Sequence, residues 1–554
     1  MTELKLYDAN QDFIWLLLRP WVWIPRILYI TFRIILLILR FLIDGKSKSN
    51  YVQKELAKYL LDTITDLGPC FIKVGQSLST RPDLVKQSWL DELIKLQDDL
   101  PKFDQNKALE IFEKEIGQSV FEIFEYFPSE PIASASLGQV YKAKLNKNYW
   151  VAVKIQRPNL RFIIRRDLAI IRFFSVLVAP ILPLNLGFGL DEIIDEFGLS
   201  LMREIDYEME AENAEKFANL FINDSTVIVP SVEKMISAKK VITTSWIEGT
   251  KISNRKELIS NGINPTSIIR TAVISGIQQL LEFGYFHADP HPGNLFALEG
   301  KSGGKGKLGY VDFGMMDSLN DNDRITLTSA IVHLMNQDYD LLTKDFQKLG
   351  FLSSDQEIER IVPILKNVLG DVISKDVNTL NLKTITDRFS ELMYDYPFRV
   401  PARFALIIRA VVSQEGLALK LDSNFKILRF AYPYIAKRLL IGQNEELVNI
   451  LMEIIFDKNN RLRIDRLEGL LEVLTEGSIA PANELIPVAG NSLKLITSRK
   501  GNKIRKRLLL SLIKDDEFNT KEAKELLNLI MRQLNKNFVR SDLLAGINRI
   551  VINS

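Results

Sequence analysis

The histidines of this chain direct attention to one short segment. The sequence contains three, and two of them, His287 and His291, lie in residues 287–294 (HADPHPGN). Asp289 and Asn294 are five residues apart within this segment, and Asp312 follows 23 residues after Asp289. Carboxylate and amide oxygens are hard ligands suited to Mg²⁺, and a carboxylate can also accept a proton. The segment therefore indicates metal-assisted acid–base chemistry.

Two other interpretations of this segment stay open at this point. One is a zinc site formed by His287 and His291 at positions i and i+4. That spacing brings both side chains to one face only in a helix, which Pro290 and Pro292 disfavour. The other is a chance cluster of turn residues, although the predicted strand and the Asp-Phe-Gly tripeptide that follow at 308–314 argue against it.

A second candidate group lies upstream, around Lys154. This lysine ends the sequence Val-Ala-Val-Lys on a predicted strand, and such a tetrapeptide alone also fits a buried strand with a snorkelling lysine. Its position in a predicted hairpin that begins with residues 133–140 (ASASLGQV) favours a phosphate-binding role. In this stretch Gly138 is the only glycine, and the candidate contacts are Ala133, Ala135, Ser136, Gly138 and Val140.

The alanines predict an unusual loop. Kinase loops read Gly-x-Gly-x-x-Gly-x-Val, and Ala133 and Ala135 stand where the first two glycines would be. Alanine lacks the freedom of glycine at positive φ, and it adds a methyl group where backbone approaches phosphate. We therefore expect a stiffer loop that holds nucleotide differently.

The elements that must position these residues change in character along the chain. Hydrophobic periodicity predicts helices at 50–127 with breaks at Pro82 and Pro101, at 159–222 with an interruption at 179–189, and at 266–283. From about residue 320 it predicts almost only helices. Short runs rich in β-branched residues predict strands at 138–145, 150–155, 227–229, 240–245, 295–298 and 308–311. A small mixed lobe followed by a helical lobe predicts an α+β fold with the two-lobed layout of protein kinases.

The expected domain order follows from these patterns. A helical N-terminal extension and a helical C-terminal tail flank the two lobes. The predicted boundaries are a membrane-associating helix at 1–48, a helical extension at 49–128, an N-lobe at 129–249, a C-lobe at 250–440 and a tail at 441–554.

The spacing of the acidic residues matches that of protein kinases. There, an Asp accepts the proton of the substrate hydroxyl, an Asn five residues later binds Mg²⁺, and the Asp of Asp-Phe-Gly also binds Mg²⁺. Asp289, Asn294 and Asp312 fit these three roles, and Lys154 fits the lysine that contacts the nucleotide phosphates.

Taken jointly and in order, the motifs resemble the UbiB family of atypical, protein-kinase-like ATPases. The resemblance covers roughly residues 50–430. The matching segments are Lys-Val-Gly-Gln at 73–76, the alanine-rich loop ending at Ser136, Glu-Ile-Asp at 204–206, residues 287–294, and Val-Asp-Phe-Gly at 311–314.

The resemblance implies a specific arrangement of the site. The helix at 71–78 is expected to fold over it, so that Lys73 and Gln76 lie near Glu204 and Asp206 and a Lys73–Glu204 ion pair forms. The usual kinase ion pair would be Lys154–Glu210, with Glu210 in the same helix as Glu204. Residues 244–249, including Glu248, would form the hinge that contacts adenine. The implied cofactors are ATP or ADP with Mg²⁺.

Departures from ordinary kinases bear on the substrate. Ala288 replaces the arginine that often precedes the catalytic Asp, and His291 takes the place of the usual phosphate-facing lysine. No Ala-Pro-Glu follows residues 312–314. These differences argue against conventional protein phosphorylation. The alternatives that remain are a nucleotide-gated scaffold with little turnover and a small-molecule phosphotransferase, whose catalytic loops are similar to residues 287–294.

The N-terminal region is strongly apolar. Residues 13–43 contain four arginines, Arg19, Arg26, Arg33 and Arg40, each seven residues after the last. This spacing forms one stripe on a helix, and we expect a helix lying in the headgroup layer with arginines reaching lipid phosphates. A helix packed on the rest of the protein is the alternative.

Composition limits the partners and the compartment. The formal net charge is +2, so no strong field favours nucleic acid. Cys70 is the only cysteine, which excludes an intrachain disulfide and fits a reducing compartment. With the resemblance, we expect a peripheral membrane protein. Its expected partners are a lipid surface, a prenyl-lipid or quinone precursor, and enzymes of lipid biosynthesis.

Overall fold

A computed structural model of the chain describes residues 7–44, 49–78, 101–178, 190–299, 306–353, 356–373, 398, 400–422, 425, 427–441, 445–457, 460–468, 470, 502–514, 517–520, 524–525 and 528. The chain divides into two compact units. Unit 1 comprises Met1–Thr271, His287–Asp317 and Ala405–Leu421, and unit 2 comprises Ala272–Phe286, Ser318–Phe404 and Asp422–Ser554.

A four-stranded antiparallel sheet in unit 1 carries Lys154. Its strands are β1 (Ala133–Ser134), β2 (Gly138–Asn146), β3 (Tyr149–Gln156) and β5 (Val241–Ser245), in the order β1-β2-β3-β5. Val151, Val153 and Ile155 of β3 are fully buried in a core shared with the helix Gln105–Ile116. Because side chains alternate along a strand, Lys154 lies on the other face.

A second four-stranded sheet in unit 1 places the acidic residues. It consists of β4 (Val227–Ile228), β6 (Thr250–Lys251), β8 (Leu295–Leu298) and β9 (Lys307–Tyr310), in the order β4-β9-β8-β6. β8 and β9 pair antiparallel, with Leu295 opposite Tyr310. Asn294 directly precedes β8 and Asp312 follows β9 by two residues, so both reach the same end of this hairpin.

The described helices account for most of the remaining structure. They are Ala9–Leu17, Pro20–Asp44, Asn50–Leu67, Pro69–Leu78, Gln105–Ile116, Val120–Ile123, Leu160–Val178, Leu190–Glu204, Tyr207–Leu220, Arg255–Ser260, Pro265–Ile277, Asp321–Met335, Tyr339–Leu349, Ile358–Ile373, Ala402–Leu421, Ile427–Ile441, Glu445–Ile455 and Asn502–Ser511. Short strands β7 (Tyr285–His287) and β10 (Met316–Ser318) flank the residues of the predicted active site, and a small hairpin pairs Ile513–Lys514 with Glu517–Phe518.

The helical stretch predicted at 190–222 is divided in the structure, while the interruption predicted at 179–189 lies outside the described residues. Glu204 is the last residue of Leu190–Glu204, whereas Glu210 lies in the separate helix Tyr207–Leu220. The helical backbone is interrupted at Asp206, which has extended backbone angles. Its side chain accepts a hydrogen bond from the Glu208 N–H and so caps the N-terminus of the second helix. The prediction that Glu204 and Glu210 share one helix was therefore wrong.

Three arginines of the N-terminal stripe form ion pairs with carboxylates of unit 1. Arg26 binds both carboxylate oxygens of the fully buried Asp167, at 3.0 and 2.7 Å, and Arg33 pairs with Asp66. Arg40 pairs with Asp44 at 2.9 Å. Arg26 is therefore held against the protein, contrary to the expectation that it reaches lipid phosphates, whereas contact of Arg19, Arg33 and Arg40 with a lipid surface stays a prediction.

The other side of the N-terminal helices is apolar and exposed. We call this side the apolar face, and at about 100° per residue it lies opposite the arginines of Pro20–Asp44. Its large side chains recur at helical spacing, at Ile14, Leu17, Trp21, Ile24, Leu28, Phe32, Ile35, Leu39 and Leu42. None of the described helices is both long enough and apolar enough to cross a bilayer.

Candidate active site

Lys154 is the centre of a buried charge cluster in unit 1. Its Nζ lies 2.9 and 2.8 Å from the two carboxylate oxygens of Glu210 and 3.2 Å from Oδ2 of Asp312. Nζ also lies 5.0 Å from the centre of the Tyr207 ring. The Lys154–Glu210 ion pair expected from the family resemblance is therefore present, and Asp312 joins it.

The ionisation of this cluster follows from the neighbouring charges. Burial favours the neutral form of Glu210 and, although Lys154 opposes this effect, raises the pKa of that carboxyl to about 7. Burial alone would also raise the pKa of Asp312. Lys154 and the Gly314 N–H outweigh burial and hold the pKa of Asp312 well below its usual range. Asp312 is consequently ionised at neutral pH, as a metal ligand must be.

The Asp-Phe-Gly turn is fixed by contacts on both sides. The Gly314 N–H donates to Oδ1 of Asp312 at 2.9 Å, and Nδ2 of Asn213 donates to the Phe313 carbonyl at 3.0 Å. The Phe313 ring packs against Phe217, with centroids 5.3 Å apart. Because Asn213 and Phe217 belong to the helix that carries Glu210, this helix positions both partners of Lys154.

His287 joins the two halves of the acidic site. Its Nδ1 accepts a hydrogen bond from the Asp289 N–H at 3.1 Å, and its Nε2 lies 2.7 Å from the Asp312 carbonyl oxygen. Burial lowers the pKa of His287, which favours the neutral ring that this pattern requires. Both ring nitrogens are thus engaged with backbone, which leaves His287 no nitrogen for zinc.

Asp289 is held by an arginine that the sequence did not reveal. Nη2 of Arg409, from the helix Ala402–Leu421, lies 3.0 Å from Oδ1 of Asp289. The Arg409 side chain is only 8% exposed and that of Asp289 16% exposed. Burial would raise the pKa of Asp289, but Arg409 is the largest of the neighbouring charges that lower it, so the carboxylate stays ionised.

The overlying helix is present, as the resemblance implied. Lys73, on the helix Pro69–Leu78, forms an ion pair with Glu204, and both side chains are nearly buried. Lys73 also contributes to lowering the pKa values of Asp289 and Asp312. Gln76 is buried on the same helix. The predicted Lys73–Glu204 pair is confirmed, whereas Asp206 serves as a helix cap.

The alanine-rich loop is a tight hairpin. Ala133 and Ser134 form β1 and pair with Val140 and Gln139 of β2, and the Ala135 N–H donates to the Gly138 carbonyl at 2.8 Å. Ser136 is buried, while Ala133 and Ala135 are exposed.

Gly138 is required by close packing at the base of this hairpin. A Cβ there would lie 2.5 Å from the Ile155 carbonyl oxygen and 2.6 Å from the Tyr207 hydroxyl. This explains in physical terms why a glycine stands at 138 while alanines stand at 133 and 135.

Arg157 restrains the same hairpin from outside. Its Nε and Nη2 donate to the Ala135 carbonyl at 3.1 and 2.9 Å, and Nη2 also donates to the Pro101 carbonyl at 2.7 Å. These hydrogen bonds would add to the stiffness that the alanines predict, which stays a prediction. Sequence reasoning did not single out Arg157, because nothing in its local sequence indicates these partners.

The predicted hinge contains an exposed acidic side chain. Glu248 is 78% exposed, and its Oε1 lies 2.8 Å from Nζ of Lys142. Nζ of Lys142 also lies 4.5 Å from the centre of the Trp246 ring. The backbone N–H of Trp246 donates to the Trp150 carbonyl, which ties the hinge to β3. The contact of this segment with adenine stays a prediction.

The donor set suits Mg²⁺ held jointly with a nucleotide. Among the described residues, no group of three or more His, Cys, Asp or Glu side chains is arranged to hold a metal. Mg²⁺ commonly takes one or two protein ligands and completes its shell with phosphates and water. Asp312, ionised, and Asn294, at the same end of the β8–β9 hairpin, fit that requirement. Bound there, Mg²⁺ would neutralise charge on the phosphates.

Comparison with known proteins places the chain in a family. The sequence profile of the ABC1 atypical kinase-like domain matches residues 95–346. An uncharacterized Synechocystis protein, slr1919, is 44% identical over 560 aligned residues, which cover all of this chain and 97% of that protein. The chain belongs to the ABC1 atypical kinase-like family. This is the UbiB-type family that the motifs resemble, and the predicted kinase-like α+β fold is confirmed with it.

The chain is also similar to a plant protein and to a solved structure. Protein ACTIVITY OF BC1 COMPLEX KINASE 1 of Arabidopsis thaliana, a chloroplastic protein by its name, is 36% identical and aligns with 86% of this chain and 70% of its own. The complex of Rv3197 with erythromycin from Mycobacterium tuberculosis is 27% identical, with a TM-score of 0.45, over 63% of this chain and 88% of its own.

Proposed function

We propose that this ABC1-family protein is a Mg²⁺-dependent, ATP-binding atypical kinase or ATPase that acts at a membrane in isoprenoid quinone or related prenyl-lipid metabolism. The observation that carries the nucleotide part is the position of Lys154, between Glu210 and Asp312 and on the sheet face opposite the core. A kinase lysine held in this way is set to contact the α- and β-phosphates.

The proposed roles follow from the geometry of the site. Asp312 and Asn294 would hold Mg²⁺, and Asp289, kept ionised, would position a water molecule or accept the proton of an acceptor hydroxyl. The alanine-rich hairpin would cover the phosphates. The hinge at 244–249 would bind adenine through its backbone.

Phosphate release from ATP tests this proposal. We expect turnover by the full-length protein that rises with anionic liposomes and is lost in Asp312→Asn. Asp340→Asn, which changes an exposed carboxylate of unit 2, is the matched control and should keep wild-type turnover.

Release that stays at background in every sample would instead favour a nucleotide-gated scaffold. ATP-dependent pull-down of lipid-biosynthesis enzymes would then decide for that alternative. Transfer of the phosphoryl group to a soluble small molecule without any lipid effect would favour a small-molecule phosphotransferase.

The membrane part of the proposal is supported by the apolar face. Trp21, Leu28 and Leu42 are 71%, 65% and 70% exposed, far more than large apolar side chains usually are in such a number and on one side of a helix. The ordered spacing of this face and the neutralised arginines on the other side fit a helix that lies on a bilayer with its apolar side inserted. We therefore propose peripheral membrane association.

Vesicle flotation tests this orientation. The double variant Leu28→Glu, Leu42→Glu should lose flotation with both neutral and anionic phosphatidylcholine-based vesicles. Arg40→Gln, on the opposite side of the same helix, should float like the wild type. Equal flotation of all three proteins would show that the apolar face is not the lipid contact.

The lipid part rests on the family resemblance and on a small apolar cleft. A cleft of about 70 Å³, with almost wholly apolar walls, lies between the N-terminal helices and the helix Leu160–Val178. Its walls include Phe13, Trp23 and Phe173. The end of a single hydrocarbon chain would fit this volume. Greater ATP turnover with vesicles that contain a polyprenyl phenol than with phospholipid alone would support a prenyl-lipid role.

A further inference from the structure

Arg409 has a buried N–H group that makes no hydrogen bond with the described residues. One of its Nη atoms binds Asp289, but its Nε is shielded from solvent and has no hydrogen-bond partner among the described residues. An unpaired buried N–H of a charged group is costly, so such donors usually meet an acceptor in the functional state. An oxygen of a ligand bound beside Asp289 would supply this acceptor.

The site around Asp289 lacks a cation that ordinary kinases have. His291 stands where a phosphate-facing lysine would be, and its Nδ1 accepts a hydrogen bond from the Gly293 N–H at 3.0 Å. His291 is therefore turned toward its own backbone. Lys154 forms ion pairs with Glu210 and Asp312, and Lys73 forms an ion pair with Glu204. Arg409 is the cation that contacts Asp289 in this structure.

We propose that Arg409 binds the terminal phosphate of ATP through its free Nε while it holds Asp289 through Nη2. This deepens the proposed function and rests on it. A guanidinium can serve two separated oxyanions at once because its Nε and Nη donors diverge in one plane, whereas the three donors of a lysine share a single nitrogen. Arg409 would thus link the phosphate to be transferred with the carboxylate that positions its acceptor, and it would distinguish ATP from ADP.

Nucleotide binding tests the proposal without requiring turnover. Affinities of the full-length protein for Mg·ADP and for a non-hydrolysable Mg·ATP analogue are measured by calorimetry for wild type, Arg409→Lys and Arg409→Met. Because a charge-assisted hydrogen bond is lost, the analogue should bind roughly tenfold to a hundredfold more weakly to Arg409→Met, while ADP affinity stays the same.

Arg409→Lys separates this role from a structural one. Lysine keeps the charge beside Asp289, so the variant should fold and bind ADP like the wild type, yet still show weakened binding of the ATP analogue. Unchanged affinity for both nucleotides in both variants would overturn the inference. An equal loss for both nucleotides would also overturn it, since that result indicates a structural role. If the wild type binds neither nucleotide, the proposed function itself fails.

Discussion

At the scale of single residues, Gly138 shows how closely the hairpin above the site is packed. Gly138→Ala would force a methyl group against the Ile155 carbonyl, which cannot move without disturbing β3. We expect a loss of about 1–3 kcal/mol in stability, together with weakened nucleotide binding. Thermal unfolding and calorimetry measure the two effects.

The same substitution elsewhere in unit 1 serves as the control. Gly416 lies exposed in the helix Ala402–Leu421, and a Cβ there meets nothing within 4 Å. Gly416→Ala should therefore stabilise the protein by about 0.5–1 kcal/mol, because alanine loses less backbone entropy in a helix. Equal stability of the two variants would contradict the packing explanation.

Arg157 allows the stiffness of the alanine-rich hairpin to be tested. Arg157→Met removes both hydrogen bonds to the Ala135 carbonyl, and Ala135→Gly removes the methyl group itself. If the hairpin restrains phosphate binding, both variants should shift the ratio of ATP to ADP affinity in the same direction, by about 1 kcal/mol or roughly fivefold.

Arg161→Met, an exposed arginine in the helix Leu160–Val178, controls for the loss of charge. It should leave the affinity ratio unchanged. A shift in Arg161→Met as large as that in Arg157→Met would mean that general electrostatics, not the hairpin, sets the nucleotide preference.

Short contiguous motifs made much of the site predictable from the sequence. Asp289, Asn294, Asp312 and Lys154 each stand in a recognisable segment, and the structure brings all four into unit 1. Arg409 was not predictable, because its contact with Asp289 joins residues 120 positions apart through tertiary packing. The available signal was a lone arginine within the apolar helical run at 404–412, which indicates a buried partner.

At the scale of elements, the sequence predicted strand positions well and helix boundaries less well. The strands β2, β3, β5, β8 and β9 appear within one residue of their predicted ends. The helix break at 205–206 was missed since the apolar periodicity continues through it, although Asp206 is a typical N-cap residue. Periodicity also found the arginine stripe, but it cannot tell which side of a helix faces protein.

The arginines of the N-terminal stripe should contribute unequally to the stability of unit 1. Asp167 is fully buried and pairs with both Arg26 and Arg166, so Arg26→Met would remove one of the two arginines that compensate this carboxylate. We expect this variant to lose about 1–3 kcal/mol of stability. Arg40→Met breaks an exposed pair with Asp44 and should cost less than about 0.5 kcal/mol. Thermal unfolding of the two variants compares them directly, and a similar cost for both would refute the assigned contacts.

At the scale of the whole molecule, every residue of the candidate site belongs to unit 1, although the chain leaves that unit and re-enters it twice. Lys73, Lys154, Asp312 and Arg409 come from segments far apart in sequence, so the site exists only when unit 1 is folded. A ligand that binds only the folded site stabilises it in proportion to RT ln(1 + [L]/Kd), about 2.7 kcal/mol at a hundredfold excess over Kd. Nucleotide should therefore protect unit 1 against local opening.

Hydrogen exchange with and without a Mg·ATP analogue measures which segments the nucleotide protects. We expect slower exchange in β2, in β3 and in residues 287–299 and 306–317, which form or adjoin the proposed nucleotide site. The helices Tyr339–Leu349 and Glu445–Ile455 of unit 2 contribute none of the site residues, so their exchange should stay unchanged and serve as the internal control. The Asp312→Asn variant should lose the protection throughout unit 1. Protection confined to unit 2 would place the nucleotide elsewhere and overturn the assignment of the site.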